Sequence, residues 1–588
     1  MINEGKKRTG ARRGESRKGK RRLLPLLFLL LGAALFASCA ARREHPNVLL
    51  LVVDTLRADR LGSYGYGRET TPSLDRLAAE SLRFERAYTT APWTLPAFGS
   101  ILTGRYPWEH GATNDYLAIR PDLPTLAAAF REGGWATAAF VSHIYTSSVY
   151  GFDAGFDRFE EFRVTRDYRF DEEREPRAER VAGEAIRWLR ERDESRPFFL
   201  LVHIFDPHWT YAAPEPYTTL FDPDYNGDVD GSFRSLSRYF PVDSLMNDRD
   251  LEHVEALYDG EVRYADLWIG RLLDALRETG DWDKTVVVLT GDHGEEFQEH
   301  RSFGHSFTFY DEVLRVPLLL RDPGRPGGGT VEHPVSLVDL FPTLLRIAGL
   351  PAPEGLDGRP LDEEGEGRTI LAGTTREGRY GRAALRGENK LVWDREGTRV
   401  YDRAADPAER AGRAASPDAG GTALAGPPTE ENGGGWTIRW DAGDEPVEGA
   451  IDPSGVVIDI LPLGPASFRT EASGNGPFRF TAPAGVAGGF RMRVVPPDGA
   501  VRFLLTRGSR EEGTRIAVGP EGSAPPAPRF VLDPAAAPEG ALDPPGPEAA
   551  ARSDFLVGWT PSPGAPPPVI RLEDAERERL RALGYLGG

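Results

Sequence analysis

Two segments of this chain bring carboxylates and an imidazole to places where an ester could be attacked. The run Asn47–Val53 is apolar throughout and ends at Asp54, and the run Thr285–Thr290 leads into Gly291-Asp292-His293-Gly294-Glu295. Apolar runs of this length read as buried parallel strands, which deliver Asp54, Asp292 and His293 to the carboxyl edge of a sheet. Carboxylate oxygens with an imidazole nitrogen suit a single divalent metal ion. Between the runs, Thr94 stands just before Pro96 and a short apolar helix, Ala97–Leu102. A hydroxyl at a helix N-terminus lies beside free N–H groups that attract anions. A threonine hydroxyl is hardly ionised at neutral pH, but a neighbouring metal ion makes it a competent nucleophile. The set spells metal-assisted cleavage of an anionic ester. Taken singly, Asp54 and Thr94 would be ordinary caps and Asp292-His293 a strand-end turn.

Other imidazoles surround this set. His208, in Asp206-Pro207-His208, suits contact with the substrate's anionic group or its leaving oxygen. His143 follows the strand-like Phe140-Val141-Ser142 and is expected to line the pocket, with His300 as a further substrate contact. His203 falls inside an apolar strand, where a core role is expected, and Arg315, before Val316-Pro317, is expected to be structural.

Positioning these groups requires an alternation of strands and helices. Strands are expected at Asn47–Val53, Thr137–Val141, Phe198–Phe205, Thr285–Leu289 and Val316–Leu320. Helical periodicity marks Ser73–Ser81, Leu123–Glu132, Arg177–Arg192, Leu251–Glu278 and Leu337–Ile347. That order predicts an α/β fold, a mostly parallel central sheet with helices on both faces. Ligands of such sheets bind beyond the carboxyl ends of the strands, where Asp54 and Asp292 fall.

The motifs, in order, resemble the sulfatase family of the alkaline phosphatase superfamily. They are VVDTLRAD (52–59), TPSLDRLAAESLRFERAYT (71–89), TLPAFGSILTGRYPWEHG (94–111), HIFDPHWTY (203–211), TGDHGEEFQEH (290–300), FGHSFTFYDEVLRVPLLLR (303–321) and SLVDLFPTLLRIAGL (336–350). The resemblance spans about residues 46 to 412 and implies an alkaline-phosphatase-like sandwich, one divalent ion (Mn, Ca, Mg or Zn) and an anionic ester substrate. It implies metal ligation by Asp54, Asp292 and His293 with Thr94, and a catalytic role for His305 at the family's late histidine, alongside His208. Three departures matter. Sulfatases carry Cys-x-Pro-x-Arg, whose Cys becomes formylglycine; here the Cys position is Thr94 and the Arg position is Phe98. A second Asp is usual at position 55, where this chain has Thr55. The chain therefore resembles the threonine-nucleophile branch, with phosphodiesterases and envelope phosphotransferases. Phosphate or sulfate ester hydrolysis is the leading expectation. Phosphotransfer to a glycan or lipid shares its first half-reaction. A two-metal site using Asp206, His208 and His305, and a degenerate surface-binding lipoprotein, are further alternatives.

Length and composition set the organisation around this core. At 588 residues the chain exceeds one hydrophobic core, and 40% hydrophobic with 10% aromatic residues suits globular folding. Residues 1–22 hold ten Lys or Arg against Glu4 and Glu15, so the rest is more acidic than the net −19. An acidic body excludes nucleic acid as a partner. The apolar block 23–36 is short for a membrane span and right for a signal segment, and Phe36-Ala37-Ser38-Cys39 resembles a bacterial lipobox. Residues 1–39 are thus expected to be a lipoprotein signal peptide, with Cys39 lipidated, and the protein exported and membrane-anchored in the cell envelope. No other Cys is present, in keeping with a fold that uses no disulfide. After the catalytic region (46–412), residues 413–435 read as a linker and 436–520 as a small β-rich domain. Residues 521–570 read as a Pro/Ala/Gly-rich mobile stretch, and 571–588 as an amphipathic terminal helix.

Overall fold

The computed structural model describes residues 45–162, 177–239 and 244–414, apart from 326, 364–366, 377–378 and 395; between 435 and 570 it describes mainly strands. Cys39 and the segments 1–39 and 571–588 lie outside the described residues. Among the described residues no helix is long and apolar enough to cross a membrane. Pro46–Gly588 form one compact unit.

Its centre is an eight-stranded sheet built from β1 (Asn47–Val53), β2 (Leu82–Phe84), β3 (Ala136–Val141), β4 (Arg158–Glu161), β5 (Phe198–Ile204), β6 (Thr285–Gly291), β7 (Leu318–Arg321) and β8 (Gly329–Val331). The order is β8-β2-β7-β6-β1-β5-β3-β4. β1 pairs in parallel with β5 on one side and β6 on the other, and β7 alone runs antiparallel to its neighbours. The antiparallel strand begins at Leu318 rather than Val316. Pro317 has no N–H for a ladder, and Arg315–Val316 pair instead with Ala87–Tyr88 in a separate small sheet.

The pleat divides the strands between two cores. From β1, Val48, Leu50 and Val52 enter one and Leu49, Leu51 and Val53 the other. A strand covered on both faces must be apolar at every position, as the sequence of β1 is. The first core is covered by α2 (Thr94–Thr103), α3 (Leu126–Glu132) and α6 (Leu340–Ala348). The second is covered by α1 (Pro72–Ala79), α4 (Ala178–Glu191) and α5 (Asp248–Glu278). α2 is buried along its whole length and stops at Gly104, in the left-handed region at φ 65°. A Cβ there would stand 2.9 Å from Cβ of Phe341, so both space and backbone require glycine.

A second sheet follows, β9 (Ile370–Thr374) to β13 (Arg413–Ala414), with β10 (Gly381–Arg386), β11 (Asn389–Asp394) and β12 (Gly397–Asp402) as antiparallel neighbours between them. The β-rich region is two five-stranded sheets facing one another, with Trp436 against Phe503 at 5.2 Å and Trp440 against Phe480 at 5.4 Å between ring centroids. It extends past residue 520. Arg529–Leu532 pairs with Val501–Arg507, and Phe555–Thr560 lies between Gly435–Trp440 and Ile516–Val518. The stretch whose composition reads as mobile thus contributes an inner strand. Its alternating Phe555, Val557 and Trp559 are the apolar signal that proline and alanine around them obscure. Beyond it, Pro568 O accepts from Ala118 N at 3.1 Å, and Ile570 N donates to Tyr116 O at 2.8 Å.

The sandwich core is continuous with Tyr106, Val338, Leu371, Ala384 and Trp393 of the catalytic region, and Arg493 donates to Trp108 O at 2.8 Å. A chain ending at residue 434 would expose that apolar face. It is expected to melt at a lower temperature than the full chain and to bind a hydrophobic dye. Unchanged melting would show that the shared core adds no stability.

Candidate active site

Asp54 is the first residue past β1, with its N–H donating to Ile204 O at 2.9 Å. Val52 is level with His203 of β5 and Thr290 of β6. Residues two apart share a face of a strand, so Asp54, His203 and Asp292 all turn toward the core that α2 covers. Thr94, the first residue of α2, meets them there. Its Oγ1 lies 3.3 Å from Nε2 of His293.

The hydrogen-bond inventory fixes the imidazoles. His293 Nδ1 lies 2.9 Å from Gly294 O, which can only accept, so the proton is on Nδ1 and Nε2 carries a lone pair. That lone pair faces Asp54 Oδ1 at 3.5 Å and Asp292 Oδ2 at 3.7 Å. His203 behaves alike. The single hydroxyl proton of Ser142 goes to His203 O at 2.7 Å, so Nδ1, 3.2 Å from that hydroxyl, is the donor. Its Nε2 lone pair then faces Asp54 Oδ2 at 3.7 Å. Asp292 Oδ1 accepts from the N–H groups of Thr55 (3.2 Å) and His293 (2.8 Å), whereas its Oδ2, both oxygens of Asp54 and Nε2 of His203 have no well-formed hydrogen bond. Lone pairs aimed at carboxylates inside a dry site repel, and a divalent cation between them turns the repulsion into ligation. Among the described residues Asp54, His203 and Asp292 offer ligand atoms all within 4.8 Å of one another. The donor set therefore fits a divalent ion, with His293 and Thr94 at its edge. Burial, then the charges of Asp292 and Glu295, raise the Asp54 carboxyl well above the usual range, and burial raises Asp292.

The other predicted residues divide. His208 and His305 face each other across 5.0 Å between ring centroids, and His305 is 4.5 Å from His293. His143 is 5.7 Å from His208 and completes this wall. His300 does not join it. Its ring stacks on Tyr310 at 3.4 Å, and its Nε2 lies 3.4 Å from Glu312. Asp206, a candidate ligand for a second ion, instead accepts from Ala178 N at 2.7 Å and caps α4. Thr55 takes a positive φ of 54° and aims its N–H at Asp292.

Three residues inside the motifs, to which the sequence assigns no catalytic or ligand role, also lie at this site. His203 is a ligand candidate rather than a core histidine; the β1–β5 register that places it is a tertiary fact. Phe98, at the family's arginine position, packs edge-on against His203 at 5.5 Å and Phe152 at 5.0 Å, and so braces that imidazole. Glu295 accepts from His305 Nδ1 at 2.8 Å and from Tyr211 at 3.2 Å. Burial pushes Glu295 up to about 8 against the opposing pull of Tyr211 and Arg57.

A carboxylate-and-imidazole cluster at the carboxyl edge of this sheet, under a helix-borne hydroxyl, defines an alkaline-phosphatase-like ester hydrolase. The sulfatase family profile matches residues 46–350, just over half of the chain. The protein belongs to the sulfatase family, hydrolases acting on ester bonds. It is 28% identical over 376 residues to an arylsulfatase of Clostridium perfringens, covering 54% of this chain and 78% of that one. It is 27% identical over 428 residues to an N-acetylglucosamine-6-O-sulfatase of Bacteroides thetaiotaomicron, covering 58% and 76%. The fold matches the phosphonate monoester hydrolase of Agrobacterium radiobacter with a TM-score of 0.53 at 24% identity, covering 62% and 91%.

A divalent ion added to metal-free protein is expected to raise its melting temperature. Binding at about 100 times the dissociation constant stabilises a fold by roughly 2.7 kcal/mol. Asp292→Asn and His203→Ala are each expected to lose most of that shift. A full shift retained in both would put the ion elsewhere.

Proposed function

We propose that the protein is a metal-dependent hydrolase of anionic esters with Thr94 as its nucleophile, and that phosphate esters are preferred to sulfate esters. The observation that carries this reading is the Thr94 hydroxyl, 3.3 Å from His293 Nε2 at the edge of the buried Asp54–His203–Asp292 cluster. A divalent ion held by Asp54, His203, Asp292 and His293 would polarise an ester oxygen and acidify the Thr94 hydroxyl. The two imidazoles in this set, with Thr55 in place of a further carboxylate, favour zinc over calcium.

Thr94 Oγ1 attacks the phosphorus or sulfur in line, forming a covalent ester on Thr94 as the bond to the leaving oxygen breaks. The proton leaving Thr94 passes to Nε2 of His305, and the imidazolium so formed returns it to the leaving alkoxide, with His208 beside the equatorial oxygens. Glu295 holds the His305 ring through Nδ1, which leaves Nε2 for this work. Water then attacks the covalent ester, releases the anion and restores the Thr94 hydroxyl. Threonine cannot form the hemiacetal through which formylglycine releases sulfate, and the preference for phosphate follows from that. The arylsulfatase and N-acetylglucosamine-6-O-sulfatase relatives support an anionic ester, possible glycan linkage included. The phosphonate monoester hydrolase supports only a fold that accommodates phosphoryl chemistry.

Thr94→Ala is expected to lower kcat on aryl phosphodiesters about a thousandfold or more while the protein stays folded. Thr94→Ser should keep part of the activity, and intact mass during turnover should show a phosphoryl adduct that Thr94→Ala lacks. Wild-type turnover by Thr94→Ala would refute the nucleophile. We also propose export with a lipid anchor at Cys39. Cys39→Ala should leave the precursor unprocessed or free it from the membrane, and unchanged size and attachment would contradict the anchor.

A further inference from the structure

The sulfatase profile ends at residue 350, yet one charged side chain from beyond it reaches the reaction wall. Arg376 follows β9 in the second sheet and is 2% exposed. Its guanidinium carbon sits 4.4 Å from the centroid of Trp93, the residue before Thr94. Its Nη1 donates to Oγ of Ser306, the residue after His305, at 2.7 Å. Its Nη2 lies 3.4 Å from the Tyr145 hydroxyl and 3.7 Å from Asp115 Oδ1. Tyr145 in turn packs on Trp93 at 5.3 Å and on His143 at 5.2 Å. The guanidinium therefore lies between the neighbours of the nucleophile and those of the late histidine.

The ring protons already assigned make His203 and His293 neutral, and Phe98 occupies the position where the family has a cation. From the Asp54–His203–Asp292 cluster itself, positive charge toward a phosphoryl or sulfuryl group arriving at Thr94 would come from the metal ion and not from these two imidazoles. A guanidinium offers a planar fork that matches two oxygens of one tetrahedral anion.

We propose that Arg376 recognises the anionic head of the substrate, binding its non-bridging oxygens and restoring from the second sheet the positive charge that Phe98 removes from α2. The proposal rests on the reading of Thr94's surroundings as the reaction site, but not on Thr94 being the nucleophile. It assigns the substrate a tetrahedral anion with at least two non-bridging oxygens, a phosphate or sulfate ester.

The test is calorimetric binding of inorganic phosphate to metal-loaded full-length protein, with melting temperature and metal content measured for every variant. Arg376→Gln should bind phosphate at least tenfold more weakly than wild type, and Arg376→Lys should fall between, with melting close to wild type in both. Turnover of aryl phosphodiesters by Thr94→Ala is measured separately, so a failure of the nucleophile reading is seen apart from a failure of phosphate recognition by Arg376. Phosphate affinity in Arg376→Gln within twofold of wild type would overturn the proposal. Loss of fold in both Arg376 variants would also overturn it, because the guanidinium would then serve to hold Ser306 and Tyr145 together.

Discussion

The structure turns on one electrostatic constraint. Asp54 and Asp292 sit without solvent at the edge of a sheet, and the lone pairs of His203 and His293 point at them rather than away. Two like charges about 4 Å apart cost roughly 4 kcal/mol at an effective dielectric of about 20, before any loss of hydration. Asp54 has no well-formed hydrogen bond, the weaker pull of the Thr55 N–H and the Thr94 hydroxyl offsets only part of that cost, and the two N–H groups on Asp292 reach only one of its oxygens. A fold keeps such an arrangement when something of opposite charge completes it.

The architecture serves this constraint. Three parallel strands, β5, β1 and β6, bring His203, Asp54 and Asp292 to one face at the carboxyl edge, because their registers align Val52 with His203 and Thr290 and both carboxylates follow two residues on. The face they share is covered by α2, fully buried, so its first residue cannot drift from the cluster. Phe98 fits the same logic. In this chain the position does not carry charge; it presses an aromatic edge against His203 and keeps its Nε2 toward Asp54. From just past β9 of the second sheet, Arg376 reaches Trp93 and Ser306. Asp115, which lies 3.7 Å from Arg376, is carried on the same loop as Tyr116, to whose backbone the chain returns at Ile570.

Much of this was legible in the sequence. β1, β3, β5 and β6 announce themselves as apolar runs, and Asp54, Thr94, Asp292, His293, His208 and His305 converge as their motifs imply. What was not legible depends on which strands are neighbours and how they are staggered. His203 reads as core because its partner across the sheet, Val52, lies 151 positions earlier, and no local pattern states the register. Arg376 lies in a segment with no motif. His300 lies five positions before His305, yet its ring stacks on Tyr310 and its Nε2 faces Glu312, contacts that no local pattern states. Composition also misjudged Phe555–Thr560, a strand set among prolines and alanines.

The account's central claim, that the buried cluster is a metal site of mixed oxygen and imidazole ligands, is tested most directly by X-ray absorption at the edge of the bound ion together with elemental analysis. The account predicts one divalent ion per chain, with two imidazole nitrogens and carboxylate oxygens in its first coordination sphere. A protein that retains no ion after mild dialysis, or holds one in an all-oxygen shell, would contradict it.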